Sequence, residues 1–182
     1  MNKATPECIT YTKKHSGVNY LLKDLWRKYK SYIVGIIIPI AVGGIATLLT
    51  MKNMSIMGEI EQPPLTPPPI VFSLVWSALY ILMGISSAIV YEGRESDRKA
   101  AREGLSYYAA SLAVNFVYSI IFFNFRAFFI SGIWLLLLIF LIVMTVIYYR
   151  KINKVAAYLQ IPYAVWVAFA TYLTFGRNYL NP

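Results

Sequence analysis

Long apolar runs broken by short charged stretches organise the chain. Five runs, at 31–50, 69–91, 105–125, 128–149 and 155–175, carry no Asp, Glu, Lys or Arg, and all 17 Lys/Arg and 8 Asp/Glu fall outside them. Their lengths are 20, 23, 21, 22 and 21 residues. At about 1.5 Å of helical rise per residue, each matches the roughly 30 Å hydrocarbon thickness of a bilayer. Lipid admits only segments that satisfy their own backbone, so the pattern predicts an all-α integral membrane protein, a bundle of five transmembrane helices.

The connections are unequal. Residues 124–127 leave room for a tight turn and 151–154 for one nearly as short, so the last three helices are expected as up-and-down neighbours. The first connection, 51–68, is longer and holds Met54, Met57, Glu59 and Glu61, and five of the nine prolines lie at 63–69. Proline fixes φ and methionine adapts to irregular apolar surfaces, which fits a semi-rigid flap over one mouth of the bundle; composition fits a plain connector equally well.

Composition agrees with the pattern. The chain is 58% hydrophobic and 14% charged, with a mean hydropathy of +0.56, against about 25% charged residues in a soluble domain, which excludes a water-soluble enzyme domain. The net charge of +9 is distributed between spans rather than gathered in one patch, so nucleic acid is not an expected partner. Fourteen of the basic residues lie before the first span and in the second and fourth connections, while Lys52, Arg126 and Arg177 lie on the other side. The positive-inside rule therefore places the N-terminus in the cytoplasm and the C-terminus opposite.

Two regions are expected, a basic tail at 1–30 and the membrane domain at 31–182. The first apolar run starts too late for an ordinary signal-peptide core, and the tail is a poor transit peptide, so the run is read as a retained span. In the tail Leu21, Leu22, Leu25, Trp26 and Tyr29 share a helical face flanked by Lys23, Arg27, Lys28 and Lys30, the pattern of an interfacial helix.

Candidate chemistry is sparse. One Cys (Cys8) and one His (His15), both in the tail, provide neither a disulfide framework nor a metal cluster. With no Asp, Glu, Lys, Arg or His inside the spans, the sequence offers no proton relay, no cation-binding carboxylate and no voltage sensor, which argues against an ion-coupled pump. Asn115 shares a face of the third span with Ser111, Tyr118 and Phe122, where it serves either an interhelical hydrogen bond or a ligand. Gln160 precedes Pro162, which frees a carbonyl one turn earlier, so structural repair is its default role. Trp76, Tyr118, Asn115, Trp166 and Trp134 lie roughly 9–15 Å below the end of the bundle that the first connection covers, deeper than an aromatic belt requires. A shift of about two to four residues in the span ends would return these rings to an interfacial belt; the alternative is a flat apolar ligand stacked among them.

These residues carry a resemblance. Pro64-Leu65-Thr66-Pro67-Pro68 followed by Val75-Trp76 and Leu79-Tyr80-Ile81-Leu82-Met83-Gly84 resembles the proline-rich loop and second helix of the TspO/MBR family, the tryptophan-rich sensory proteins and translocator proteins. Asn115-Phe116-Val117-Tyr118-Ser119 with Phe122-Phe123 is similar to its third-helix motif, and Ile161-Pro162-Tyr163-Ala164-Val165-Trp166 with Ala168-Phe169-Ala170-Thr171-Tyr172-Leu173 to its fifth-helix signature. The match runs from about Ser31 to the C-terminus.

The resemblance implies a homodimeric five-helix bundle that binds porphyrins such as protoporphyrin IX or haem in a pocket closed by the first loop. Its ligand residues would be Trp76, Tyr80, Asn115, Tyr118, Phe122, Trp166, Ala170 and Leu65, with no required cofactor and no metal. Leu65 and Tyr118 stand where the family often has Trp, and Thr174 where it usually has Asn, which alters ligand choice more than fold. Val167, Tyr172 and Arg177 fit a loose sterol-recognition pattern, although a Tyr and an Arg at a helix end are also ordinary interfacial anchors. Three functions follow: a tetrapyrrole sensor or transporter, a light- or oxygen-dependent porphyrin-degrading enzyme using Trp76 and Trp166, or a sterol-binding or structural adaptor. The first is the preferred expectation.

Overall fold

The computed structural model of the chain describes the backbone of residues 6–181, with side chains at Trp26 and from Tyr29 to Asn181 apart from Ile56 and Met57. Among the described residues every regular element is helical: α1 (Pro6–Thr50), a short α2 (Ile56–Glu59), α3 (Pro69–Glu92), α4 (Arg98–Phe123), α5 (Phe128–Ile152) and α6 (Lys154–Leu180), with 3-10 turns at Met51–Asn53 and Gly93–Glu95. Five helical stretches are long and apolar enough to cross a membrane, beginning with Tyr29–Asn53, from α1 through the first 3-10 turn, and Pro69–Glu95, from α3 through the second. Between 28% and 39% of each is buried in the bundle. The remainder presents Ile37, Leu48, Leu74, Leu136 and Val165 outward, a surface that water disfavours and lipid accepts.

Local chemistry sets the helix ends. Asp97 caps α4 by accepting a 2.9 Å hydrogen bond from the Ala100 amide, and Asn153, the single residue between α5 and α6, accepts from the Val155 and Ala156 amides at 2.8 and 3.2 Å. Pro69 opens α3 at the first helical position, where its missing N–H costs nothing. The ends expected at Thr50, Pro69 and Phe128 coincide with the observed ones. Several other ends lie outside the apolar runs: α1 begins at Pro6 and α5 continues to Ile152. Helix α4 begins seven residues before 105 because Arg98, Lys99, Arg102 and Glu103 continue it beyond the apolar stretch, and α6 runs past 175 to Leu180, taking Arg177 into the helix.

The helices close into a ring: α1 packs on α3, α3 on α6, α6 on α5, α5 on α4, and α4 back on α1. The last three are therefore neighbours, as the short turns require. Helices α1 and α3 cross at Gly35 and Gly84; a Cβ on Gly84 would meet the Ile36 Cα at 2.5 Å and the Gly35 carbonyl oxygen at 2.7 Å, so only glycine permits this approach. Ser86 of α3 donates to the Ala156 carbonyl of α6 at 2.7 Å and accepts from Gln160 Nε2 at 3.2 Å. Gln160 thus ties two helices together. The carbonyl engaged is that of Ala156, not the one Pro162 frees, which corrects the expected repair role.

The first connection, the strap, crosses the mouth of the ring and is stapled at both sides. Asn53 Nδ2 donates to Asn124 Oδ1 at 2.9 Å and Arg126 pairs with Glu59 at 3.6 Å, both at the α4–α5 turn. Further along, Glu61 N donates to Asn181 Oδ1 at 3.0 Å, and Asn181 Nδ2 donates back to the Glu61 carbonyl at 3.1 Å. Pro63 is buried on Gly176 of α6, and the Tyr172 hydroxyl donates to the Pro64 carbonyl at 3.3 Å. These contacts fix the strap across the mouth, as a semi-rigid flap requires.

In the tail, Trp26 and Tyr29 are exposed. The other side chains of the expected interfacial face, together with Cys8 and His15, lie outside the described residues.

Candidate functional site

Beneath the strap, α3 and α6 face each other with aromatic rings. Along α3, Phe72, Trp76 and Tyr80 recur every fourth residue and so share a face; Trp76 lies 6.3 Å from Phe72 and 5.5 Å from Tyr80, centroid to centroid. Along α6, Tyr163, Trp166 and Phe169 recur every third, with Trp166 and Phe169 5.6 Å apart. The stripes interlock: Phe72 sits 5.4 Å from Trp166, and Trp76 meets Tyr163 edge-on at 6.2 Å. Tilted and edge-on rings at these separations are the attractive arrangements.

The facing wall comes from α4. Ser111, Asn115, Tyr118 and Phe122 are all buried, so the shared face read from their spacing is the inward one. Asn115 Nδ2 donates to the Tyr80 hydroxyl at 3.4 Å, bridging α4 and α3. The Tyr118 hydroxyl pairs with Thr174 Oγ1 at 3.2 Å, and Thr174 itself donates to the Ala170 carbonyl at 2.8 Å. Ala170 is buried beside them.

The site's polar atoms are not all satisfied. Asn115 Oδ1, Trp166 Nε1 and the Tyr163 hydroxyl are buried without a hydrogen-bond partner. Leaving such groups unpaired costs roughly 1–3 kcal/mol each. Their concentration among stacked rings marks the interior as a place suited to a partner with polar edges and an apolar face.

Seven of the eight expected ligand residues converge on this interior; Leu65 does not. It lies on the strap, 79% exposed, with φ 69°, a left-handed conformation unusual for a branched side chain. Trp134 also lies apart: its Nε1 donates to the Val114 carbonyl at 2.9 Å, clamping α5 to α4. The three residues of the sterol pattern diverge. Val167 is buried in the core, Tyr172 is exposed at the strap, and Arg177, read as an interfacial anchor, is only 4% exposed, its Nε donating to Gln62 Oε1 at 3.0 Å and its guanidinium 5.5 Å above the Phe122 ring.

Phe72, Tyr163 and Phe169 are not among the expected ligand residues, although Tyr163 and Phe169 stand in the fifth-helix motif. The fourfold recurrence of aromatics at 72, 76 and 80 was the available signal. Among the described residues no cluster of His, Cys, Asp or Glu has the makings of a metal site.

An all-α bundle of membrane-spanning helices, with aromatic rings between α3, α4 and α6 under a stapled proline-rich strap, defines a multi-pass membrane protein of a specific kind. The profile of the TspO/MBR family matches residues 35–180. The chain is 32% identical over 144 residues to the tryptophan-rich protein TspO of Chlorobaculum tepidum, covering 79% of this chain and 90% of that one. It is 34% identical over 125 residues to protein CrtK of Rhodobacter capsulatus, covering 68% and 77%. It is 31% identical over 117 residues to the translocator protein of Ovis aries, covering 64% and 69%. The chain belongs to the TspO/MBR family.

Proposed function

We propose that the protein binds a flat tetrapyrrole, a porphyrin such as protoporphyrin IX or haem, among Trp76, Tyr80, Trp166 and the α4 wall, and serves as a membrane receptor or transporter for it. One observation carries the reading: aromatic rings from two helices enclose buried polar atoms, Trp166 Nε1 and Asn115 Oδ1, that have no protein partner. A porphyrin presents large π-faces for the rings and polar edges for these atoms. It acts in this reading as ligand, not cofactor, and a metal-free porphyrin needs no axial side chain.

Because the rings contact one another, the ligand enters by parting them under a lifted strap. We further propose a homodimer through the outer face of α4, where Ser106, Ala109 and Ala113 are exposed and small enough for close backbone approach. Replacing Ala109 and Ala113 with Phe is expected to shift the detergent-solubilised protein towards monomer.

The test is titration of the purified protein with protoporphyrin IX, in the dark and under light, followed by tryptophan fluorescence and product analysis. Saturable quenching without a new pigment supports the receptor or transporter. A protein-dependent product would move the reading to porphyrin breakdown, and absence of saturable binding would remove it.

A further inference from the structure

We propose that Arg177 is the anchor for a carboxylate on the ligand, and that Gln62 of the strap occupies that anchor while the interior is closed. The proposal rests on the tetrapyrrole reading and narrows it to acidic aromatic ligands. Arg177 lies near the end of α6, 96% shielded from solvent by the 4% exposure given above, with its charge over the Phe122 ring at 5.5 Å. Phe122 is in turn 5.7 Å from Tyr118, on the wall that faces the aromatic interior. A buried guanidinium is costly unless an anion compensates it.

No such anion is present among the described residues. The ion pairs are Arg94–Glu95, Arg98–Glu95 and Arg126–Glu59, and none includes Arg177. Of the two strap carboxylates nearest in sequence, Glu59 is engaged by Arg126, and Glu61 is exposed and ties its backbone to Asn181. What Arg177 holds instead is a neutral amide oxygen, Gln62 Oε1, at 3.0 Å through Nε. That bond satisfies geometry but not charge.

A guanidinium carries five N–H donors in a fork suited to a carboxylate, and charge-assisted bonds are about twice as strong as neutral ones. A carboxylate brought in on a ring system seated against Phe122 and Tyr118 would therefore displace Gln62. Because Gln62 belongs to the strap, the same exchange removes one of the strap's ties to α6. Ligand charge and strap attachment are thereby linked.

The experiment compares protoporphyrin IX with its dimethyl ester, which keeps the ring and removes both charges, on the full chain in neutral detergent without anionic lipid. Affinities are read from tryptophan quenching. The parent is expected to bind the diacid about tenfold more tightly than the ester. Gln62→Glu places a permanent carboxylate on Arg177 and is expected to abolish that preference while raising thermal stability, and Arg177→Gln is expected to abolish it at the level of ester binding. Gln62→Glu covers the case in which loss of the buried charge impairs folding. Equal saturable binding of diacid and ester by the parent overturns the anchor and leaves the porphyrin site standing. An undiminished preference in Gln62→Glu also overturns the anchor, and failure of both ligands to saturate removes the anchor together with the site.

Discussion

Phe72 stands between Trp76 and Trp166, its ring centroid 6.3 Å from one and 5.4 Å from the other. The two tryptophans of the aromatic interior therefore meet through a phenylalanine, and a flat ligand that stacks on either indole must part a ring contact. The closed state is held by aromatic packing worth about 0.5–1.5 kcal/mol per pair beyond its area. A stacked ligand replaces these contacts with its own.

Trp76→Phe and Trp166→Phe are each expected to weaken protoporphyrin binding by about two- to tenfold, the equivalent of one indole's stacking advantage. Trp26→Phe, on an exposed tail residue, is the control and is expected to bind like the parent. Fluorescence titration of the three variants, each checked for intact folding, provides the measurement. Normal binding by the first two with weakened binding by the third would move the site to the basic tail.

Tyr118 and Thr174 are expected to be unequal partners. Tyr118→Phe removes one hydroxyl but leaves Thr174 bonded to the Ala170 carbonyl at 2.8 Å, so its cost should stay near 1 kcal/mol. Thr174→Val strands the buried Tyr118 hydroxyl, whose partner at 3.2 Å is gone, and should cost roughly 1–3 kcal/mol. Thermal unfolding in detergent distinguishes them, and equal losses would mean that the pair is not coupled as the geometry indicates.

How far the sequence prescribes this arrangement depends on the range of the interaction. The spans are legible because lipid excludes charge from every position of a run, a rule that acts on consecutive residues, and Thr50, Pro69 and Phe128 end or begin helices where charge, proline or a turn says they should. The inward face of α4 is legible for the same local reason, through the spacing of Ser111, Asn115, Tyr118 and Phe122. Arg177 is not. Its environment is set by Gln62, 115 residues earlier, and by a strap whose path over α6 depends on Pro63 seating on Gly176. Phe72 is an intermediate case, since its spacing to Trp76 and Tyr80 was visible but its position between two tryptophans needed α6 to be placed.

Orientation follows from charge and is open to direct labelling. The structure gathers the α4–α5 turn, the strap and the end of α6 at one end, where Tyr179 is strongly exposed, and the α3–α4 connection with Ser96 at the other. In a Cys8→Ser background, Tyr179→Cys in intact cells is expected to react with an impermeant thiol reagent and Ser96→Cys is not. The opposite pattern would invert the protein in its membrane.

Gly176→Ala tests whether the strap is a separable lid. Inside a helix this exchange favours α6 itself by about 1 kcal/mol, so loss of helix is not the expected result. The new methyl, however, would meet Pro63 Cβ at 2.8 Å and Cγ at 3.2 Å, and neither group is the end of a flexible chain. Pro63 must move, at a cost of roughly 1–3 kcal/mol for overpacking, and it carries with it the neighbouring bond from Glu61 N to Asn181 Oδ1. Hydrogen exchange at the Glu61 amide is therefore expected to accelerate by about tenfold or more while the amides of α5 keep the parent's protection. Faster association of protoporphyrin should accompany it if entry requires the strap to lift. Unchanged exchange at Glu61 would mean that the strap yields without opening, and that its staples to α6 do not gate the aromatic interior.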